Sequence, residues 1–68
     1  MKNTIRVERA ILDITQAALA EKVNVSRQTI NTIEAGKYVP SAVLAMKIAS
    51  IFRKKVEEVF TLEESDWQ

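Results

Sequence analysis

Between Arg27 and Thr32 the chain sets a guanidinium, two carboxamides and hydroxyls in one short run, Arg27-Gln28-Thr29-Ile30-Asn31-Thr32. Drawn as a helix at about 100° per residue, the run has Ile30 and Ile33 as its inner direction. Gln28, Asn31, Thr32 and Ala35 turn away from them, and Arg27 and Glu34 fall on one flank. Such a face can form hydrogen bonds with planar edges. A carboxamide donates and accepts at once, which suits adenine N6 and N7. Thr offers a hydroxyl or a methyl to thymine, and Arg suits a guanine edge or a phosphate. A helix face kept only for solubility favours Glu and Lys. This outward face holds no acid, so Arg27, Gln28, Asn31 and Thr32 are candidate base contacts. A polar surface without a ligand is the plainer alternative.

Other chemistries have little to work with. The sequence contains no His and no Cys, which excludes disulfides and ordinary zinc sites. It has no Gly-rich phosphate loop and no nucleophile-base pair, and its carboxylates lack metal-ligand spacing. Ser26 and Ser41 are better read as helix caps. No enzymatic activity, metal or cofactor is expected.

The elements that must hold the Arg27 run in place are helical. The chain has one Gly and one Pro, Gly36 and Pro40, which mark a single strong break. A first helix is expected over about Ile5 to Leu12, with apolar Ile5, Val7, Ile11 and Leu12 in an imperfect pattern. Thr15 caps a second helix from Gln16 to Val23, whose Leu19 and Val23 share a face at i, i+4. Asn24 tolerates the left-handed conformation that ends it. Ser26 caps a third helix, Arg27 to Ala35, closed by Gly36. Ser41 caps a fourth, with Leu44, Ile48, Ile51 and Phe52 at helical spacing, and a fifth lies near Val56 to Phe60. Residues 61–68 are expected to be a frayed tail or a short edge strand.

Sixty-eight residues make one domain, 1–68, of a size that buries only about 60% of its unfolded surface. Self-association is one remedy for so small a core. The net charge of +1 hides an asymmetry. All ten basic residues lie in 1–55 with four acids, a net of +6, while 56–68 carry five acids and no base, a net of −5. A basic body with an acidic tail suits a phosphate-facing surface at one end, and equally a solvated face with a loose tail. No apolar run reaches the length of a signal peptide or a membrane helix, so a cytoplasmic protein is expected.

The run from Thr15 to Ser41, TQAALAEKVNVSRQTINTIEAGKYVPS, resembles the Cro/C1-type (XRE, lambda-repressor-like) helix-turn-helix family. The resemblance continues through Leu44-Ala45-Met46-Lys47-Ile48-Ala49, Phe52 and Val56-Glu57-Glu58-Val59-Phe60, covering nearly the whole chain. It implies an all-α, five-helix domain with the helix-turn-helix at about 16–35. It implies a regulator that binds double-stranded DNA as a dimeric repressor. Gln16 matches a phosphate-donating position that braces the third helix. Arg27, Gln28 and Thr32 match positions that meet base edges, with Asn31 beside them. Lys37 and Tyr38 match phosphate contacts, and Arg9 and Glu34 match an internal ion pair. Asn24 stands where the family usually has Gly. The first helix departs from the pattern at Val7-Glu8 and at Ile11-Leu12, which leaves Ile11 or Leu12 open to a partner.

Arg53-Lys54-Lys55 is expected to be a solvated turn in preference to a phosphate contact, and Lys2 and Arg6 are weaker phosphate candidates still. Val59, Leu62 and Trp67 crowd the C-terminal end and are candidates for a homodimer interface, alongside an exposed, mobile tail. The alternative function is an antitoxin-like or adaptor module that uses the same fold on a protein partner.

Overall fold

The computed structural model describes residues 1–68. The helices are α1 (Ile5–Leu12), α2 (Gln16–Val23), α3 (Arg27–Glu34), α4 (Ala42–Ile51) and α5 (Val56–Val59). Two short strands, β1 (Lys2–Asn3) and β2 (Phe60–Thr61), and a 3₁₀ turn at Glu64–Trp67 complete the chain. Helix α3 stops one residue short of the expected Ala35, and α5 stops at Val59 because Phe60 is extended. No helix is long and apolar enough to cross a membrane.

Helix starts follow their caps. Thr15, Ser26 and Ser41 each accept, through the side-chain oxygen, the backbone N–H three residues on, at 3.0, 3.1 and 3.2 Å. Each cap satisfies a donor that the first helical turn leaves unpaired. The ends of α1 to α4 follow a single device. Asp13, Asn24, Gly36 and Arg53 all adopt positive φ, between 56° and 75°. Each is followed by a residue whose N–H reaches back to the last turn, as Lys37 N does to Thr32 O and Lys54 N does to Ala49 O, both at 3.0 Å. These paired returns satisfy the orphan carbonyls of the last turn.

The helices enclose one core, in which Ile5, Leu19, Ile30, Ile33, Ile48 and Val59 are essentially inaccessible. Its composition corrects the first-helix pattern. Val7, Ile11 and Leu12 face solvent, whereas Glu8 is buried. From Ile5, Glu8 lies about 60° round the helix and Val7 about 160°, so geometry turns the acid inward. The Glu8 carboxylate is paired there with Lys54, Nζ to Oε2 at 2.7 Å. Arg53, Lys54 and Lys55 are all exposed, as expected of a turn in solvent, and the Glu8 pair adds a tether from Lys54 to α1. Glu8 holds the Lys54 pKa above its ordinary value, chiefly through that hydrogen bond.

Residues 60–68 are held, and the expected edge strand is present with a partner from its own chain. β2 runs antiparallel to β1, Lys2 opposite Thr61 and Asn3 opposite Phe60. Thr4 N extends the ribbon to Val59 O at 2.9 Å. Beyond it, the Met1 amine bonds Glu63 at 3.0 Å and Asp66 at 3.1 Å, which fixes the 3₁₀ turn.

Candidate nucleic-acid interface

Asn24 and the two residues after it form the turn that sets α3 across α2. Asn24 takes the left-handed conformation at φ 60°, and Val25 N returns to Ala20 O at 3.0 Å. Ser26 then restarts the helix, so Ile30 and Ile33 enter the core while Arg27, Gln28 and Asn31 stand exposed. These three line a small polar hollow, and Arg27 also borders a second one with Arg9, Thr15, Gln16 and Ala17. The N-terminal ends of α2 and α3 thus open onto one surface. Helix N-termini present unpaired N–H groups and a partial positive charge, which favours phosphate.

Behind that surface sits Glu34. Its side chain is only 1% exposed. Arg9 Nε donates to Glu34 Oε2 at 2.7 Å and Nη2 to Oε1 at 3.1 Å, a two-pronged geometry. Arg9 Nη1 also bonds Ile14 O at 3.1 Å, and Arg6 approaches Glu34 Oε1 to 3.8 Å. The Arg9 pKa is raised further by its hydrogen bonds to Glu34. The only acid of α3 is therefore neutralised inside the fold, and the outward face is left without negative charge.

Gln16 joins the two layers. Its Nε2 donates to Asn31 Oδ1 and to Glu34 Oε1, both at 3.3 Å. Both amide hydrogens are engaged within the protein, so a phosphate would have to displace one of them. Asn31 keeps its own NH₂ and one carbonyl lone pair for a base. Thr32 is presented differently from the wheel's expectation. It is only half exposed, and its hydroxyl donates back along the helix to Gln28 O and Thr29 O at 3.0 and 2.9 Å. What it can offer a base is a methyl or an acceptor lone pair. Lys37 and Tyr38 stand exposed in the loop after α3.

One residue of this assembly escaped the sequence reading. Asn3 Nδ2 donates to Ile33 O at 2.9 Å, and its Oδ1 accepts from Ile5 N at 3.2 Å. It clamps the last turn of α3 to the ribbon. No local pattern announces a bond between residues 30 apart in sequence.

The expected dimer residues separate into two groups. Val59 is in the core, covered by its own chain, because α5 turns it inward between α4 and the ribbon. Leu62 and Trp67 are exposed.

The helix-turn-helix family pattern matches residues 5–59. An uncharacterized HTH-type transcriptional regulator of Methanocaldococcus jannaschii is 50% identical over 66 residues, spanning 97% of this chain and 100% of its own. YgzD of Bacillus subtilis, similarly named, is 48% identical over 66 residues with the same coverage. A third, from Archaeoglobus fulgidus, is 44% identical over 69 residues, spanning 100% of this chain and 97% of its own.

Proposed function

This chain belongs to the Cro/C1-type helix-turn-helix family, and from that premise we propose that it is a dimeric repressor reading a palindromic operator through α3. The coarser part, a DNA-binding transcriptional regulator, follows from the family and from the naming of its relatives. One observation supports the assignment of the reading surface to α3. The face of α3 that bears Arg27, Gln28 and Asn31 is exposed and free of acid, and it is braced from behind by Gln16 and the Arg9–Glu34 pair.

In this reading α3 lies in the major groove, the only groove in which all four base pairs differ in their donor and acceptor patterns. Gln28 and Asn31 read base edges, Arg27 reaches a guanine or a phosphate, and Thr32 sets its methyl against thymine. Lys37, Tyr38 and the N-terminal end of α2 hold the backbone. A second copy presents its own α3 about 34 Å away, one turn of DNA, so the site is palindromic. Repression is by occlusion, in the cytoplasm, without a cofactor.

Selection from a random duplex library at fixed salt, with Gln28→Ala in parallel, tests the reading. The expected result is a two-fold symmetric motif that relaxes at one symmetric position in the variant. Absence of a motif from the parent protein overturns it and points to a protein partner instead.

A further inference from the structure

We propose that the groove between α2 and α4 receives the C-terminal segment of a second copy of this chain. The proposal rests on the dimer reading above and names the surfaces that make the dimer.

The groove is open, about 530 Å³, floored by Val23, Val43, Met46 and Ile51 and rimmed by Lys22 and Lys47. No acid lines it. Val43 is 63% exposed and Met46 61%, an apolar pair left uncovered on a helix whose Leu44, Ala45, Ile48 and Ala49 are in the core. An occupant must therefore bring apolar bulk together with negative charge.

The C-terminal segment has both. Trp67 is 77% exposed, and Leu62 is exposed beside it in a stretch that carries Glu63, Glu64 and Asp66. The 3₁₀ geometry sorts these acids. Residues three apart eclipse one another, so Glu64 and Trp67 share one edge of the turn. Glu63 and Asp66 are already bonded to the Met1 amine, and Asp66 also accepts from Glu63 N at 2.7 Å. An indole and an unengaged carboxylate remain, presented together. Met46 and Lys47 offer the matching pair, a polarizable thioether that suits an aromatic ring and an ammonium beside it.

Within one chain the segment is committed elsewhere. β2 is paired to β1, and Glu63 borders a different hollow with Asn3, Glu34 and Gly36. A second copy supplies the occupant without unmaking those contacts. If each segment enters the other's groove, the contact forms twice about a two-fold axis and closes the assembly at two chains. Burying the indole removes about 150–250 Å² of its surface from water at each site.

The test uses the whole chain. Trp67 is the only tryptophan, so its emission reports the groove directly. Emission is expected to shift to the blue as protein concentration rises, in step with dimer formation by sedimentation equilibrium. Glu64→Lys is expected to raise the dimer dissociation constant at least ~10-fold, and adding Lys47→Glu is expected to restore it. The chain has no cysteine, so mixed Met46→Cys and Trp67→Cys single variants should cross-link to each other on oxidation faster than either does to itself. Circular dichroism confirms that each variant is folded. A dimer that selects a palindrome but is indifferent to Glu64→Lys overturns the docking and leaves the DNA reading standing. A chain that stays monomeric even on operator DNA removes both.

Discussion

Asn3 and Ile33 are joined by a 2.9 Å hydrogen bond that ties the first strand of the ribbon to the last turn of α3. Asn3→Ala leaves the Ile33 carbonyl and the Ile5 N–H without that partner, and is expected to cost about 1–2 kcal/mol in urea unfolding. Operator affinity should fall as α3 loosens, with its salt dependence unchanged, because no phosphate contact is lost. An altered salt slope would place Asn3 at the DNA instead.

The Arg9–Glu34 pair makes a sharper demand. Glu34→Ala strands Arg9 and removes an acceptor of Gln16. The expected loss is about 3 kcal/mol, the low end for a broken buried pair, since Arg9 keeps some access to water. The double variant Arg9→Met with Glu34→Leu should regain most of that stability, because neither charge is left stranded. Comparison of denaturation midpoints checks both.

Of the four residues with positive φ at helix ends, only Gly36 is a glycine. Arg53 has a full side chain in a conformation that costs about 1–2 kcal/mol for most residues. Arg53→Gly is expected to raise stability by about 0.5–1 kcal/mol after the extra freedom of the unfolded chain is set against that relief. Asn24→Gly should gain less, since Asn tolerates this region. Gly36→Ala should lose about 1 kcal/mol through strain alone, because a Cβ there meets nothing within 4 Å. Thermal melts would rank the three.

Trp67 also reports on pH. The Asp66 carboxyl is held below its ordinary 3.8, first by the Glu63 backbone N–H and then by the Met1 amine. What it lends the 3₁₀ turn is present above that ordinary value and is lost as pH falls through the lowered one. The Met1 amine is held above its ordinary 8.0 by hydrogen bonds to Glu63 and then Asp66. Its contribution is present below 8.0 and is lost as pH rises through the raised value. Trp67 emission should therefore be flat between those limits and change on both limbs, with Asp66→Asn removing the acid limb.

Base and backbone contacts can be separated by two substitutions. Gln28→Ala should cost about 1–3 kcal/mol on the selected site and relax one position. Lys37→Ala should weaken binding to all duplexes alike and reduce the salt slope by about 1. The reverse pattern would exchange their roles.

The sequence reads well wherever the physics is local. The caps Thr15, Ser26 and Ser41 act on an N–H three residues away, so their side-chain chemistry and spacing reveal them. The i, i+3 and i, i+4 pattern of Leu19, Val23, Ile30 and Ile33 likewise marks the inner faces of α2 and α3, and with them the exposure of Gln28 and Asn31. What escaped depends on distant partners. Two-residue strands are too short to show alternation, and β1 and β2 define each other only on meeting. Glu8 was legible from its angle to Ile5, but its partner Lys54 lies 46 residues away. Thr32 points outward on the wheel, yet its hydroxyl finds carbonyls in its own helix, a choice of rotamer that spacing does not encode.

The pairing of Lys2 with Thr61 gives this small fold a history as well as a shape. A chain leaving the ribosome at roughly 5–20 residues per second offers its first strand early and its second only at the end of the domain. Helices α1 to α4 can pack in order as they emerge, but Asn3, which grips α3, lies on a strand that still lacks its neighbour. A nascent or truncated chain that stops before Phe60 therefore carries the whole of α3 on an unfinished clamp. Synthesis through Phe60 and Thr61 is what closes the ribbon and tightens the hold on the face proposed to read DNA.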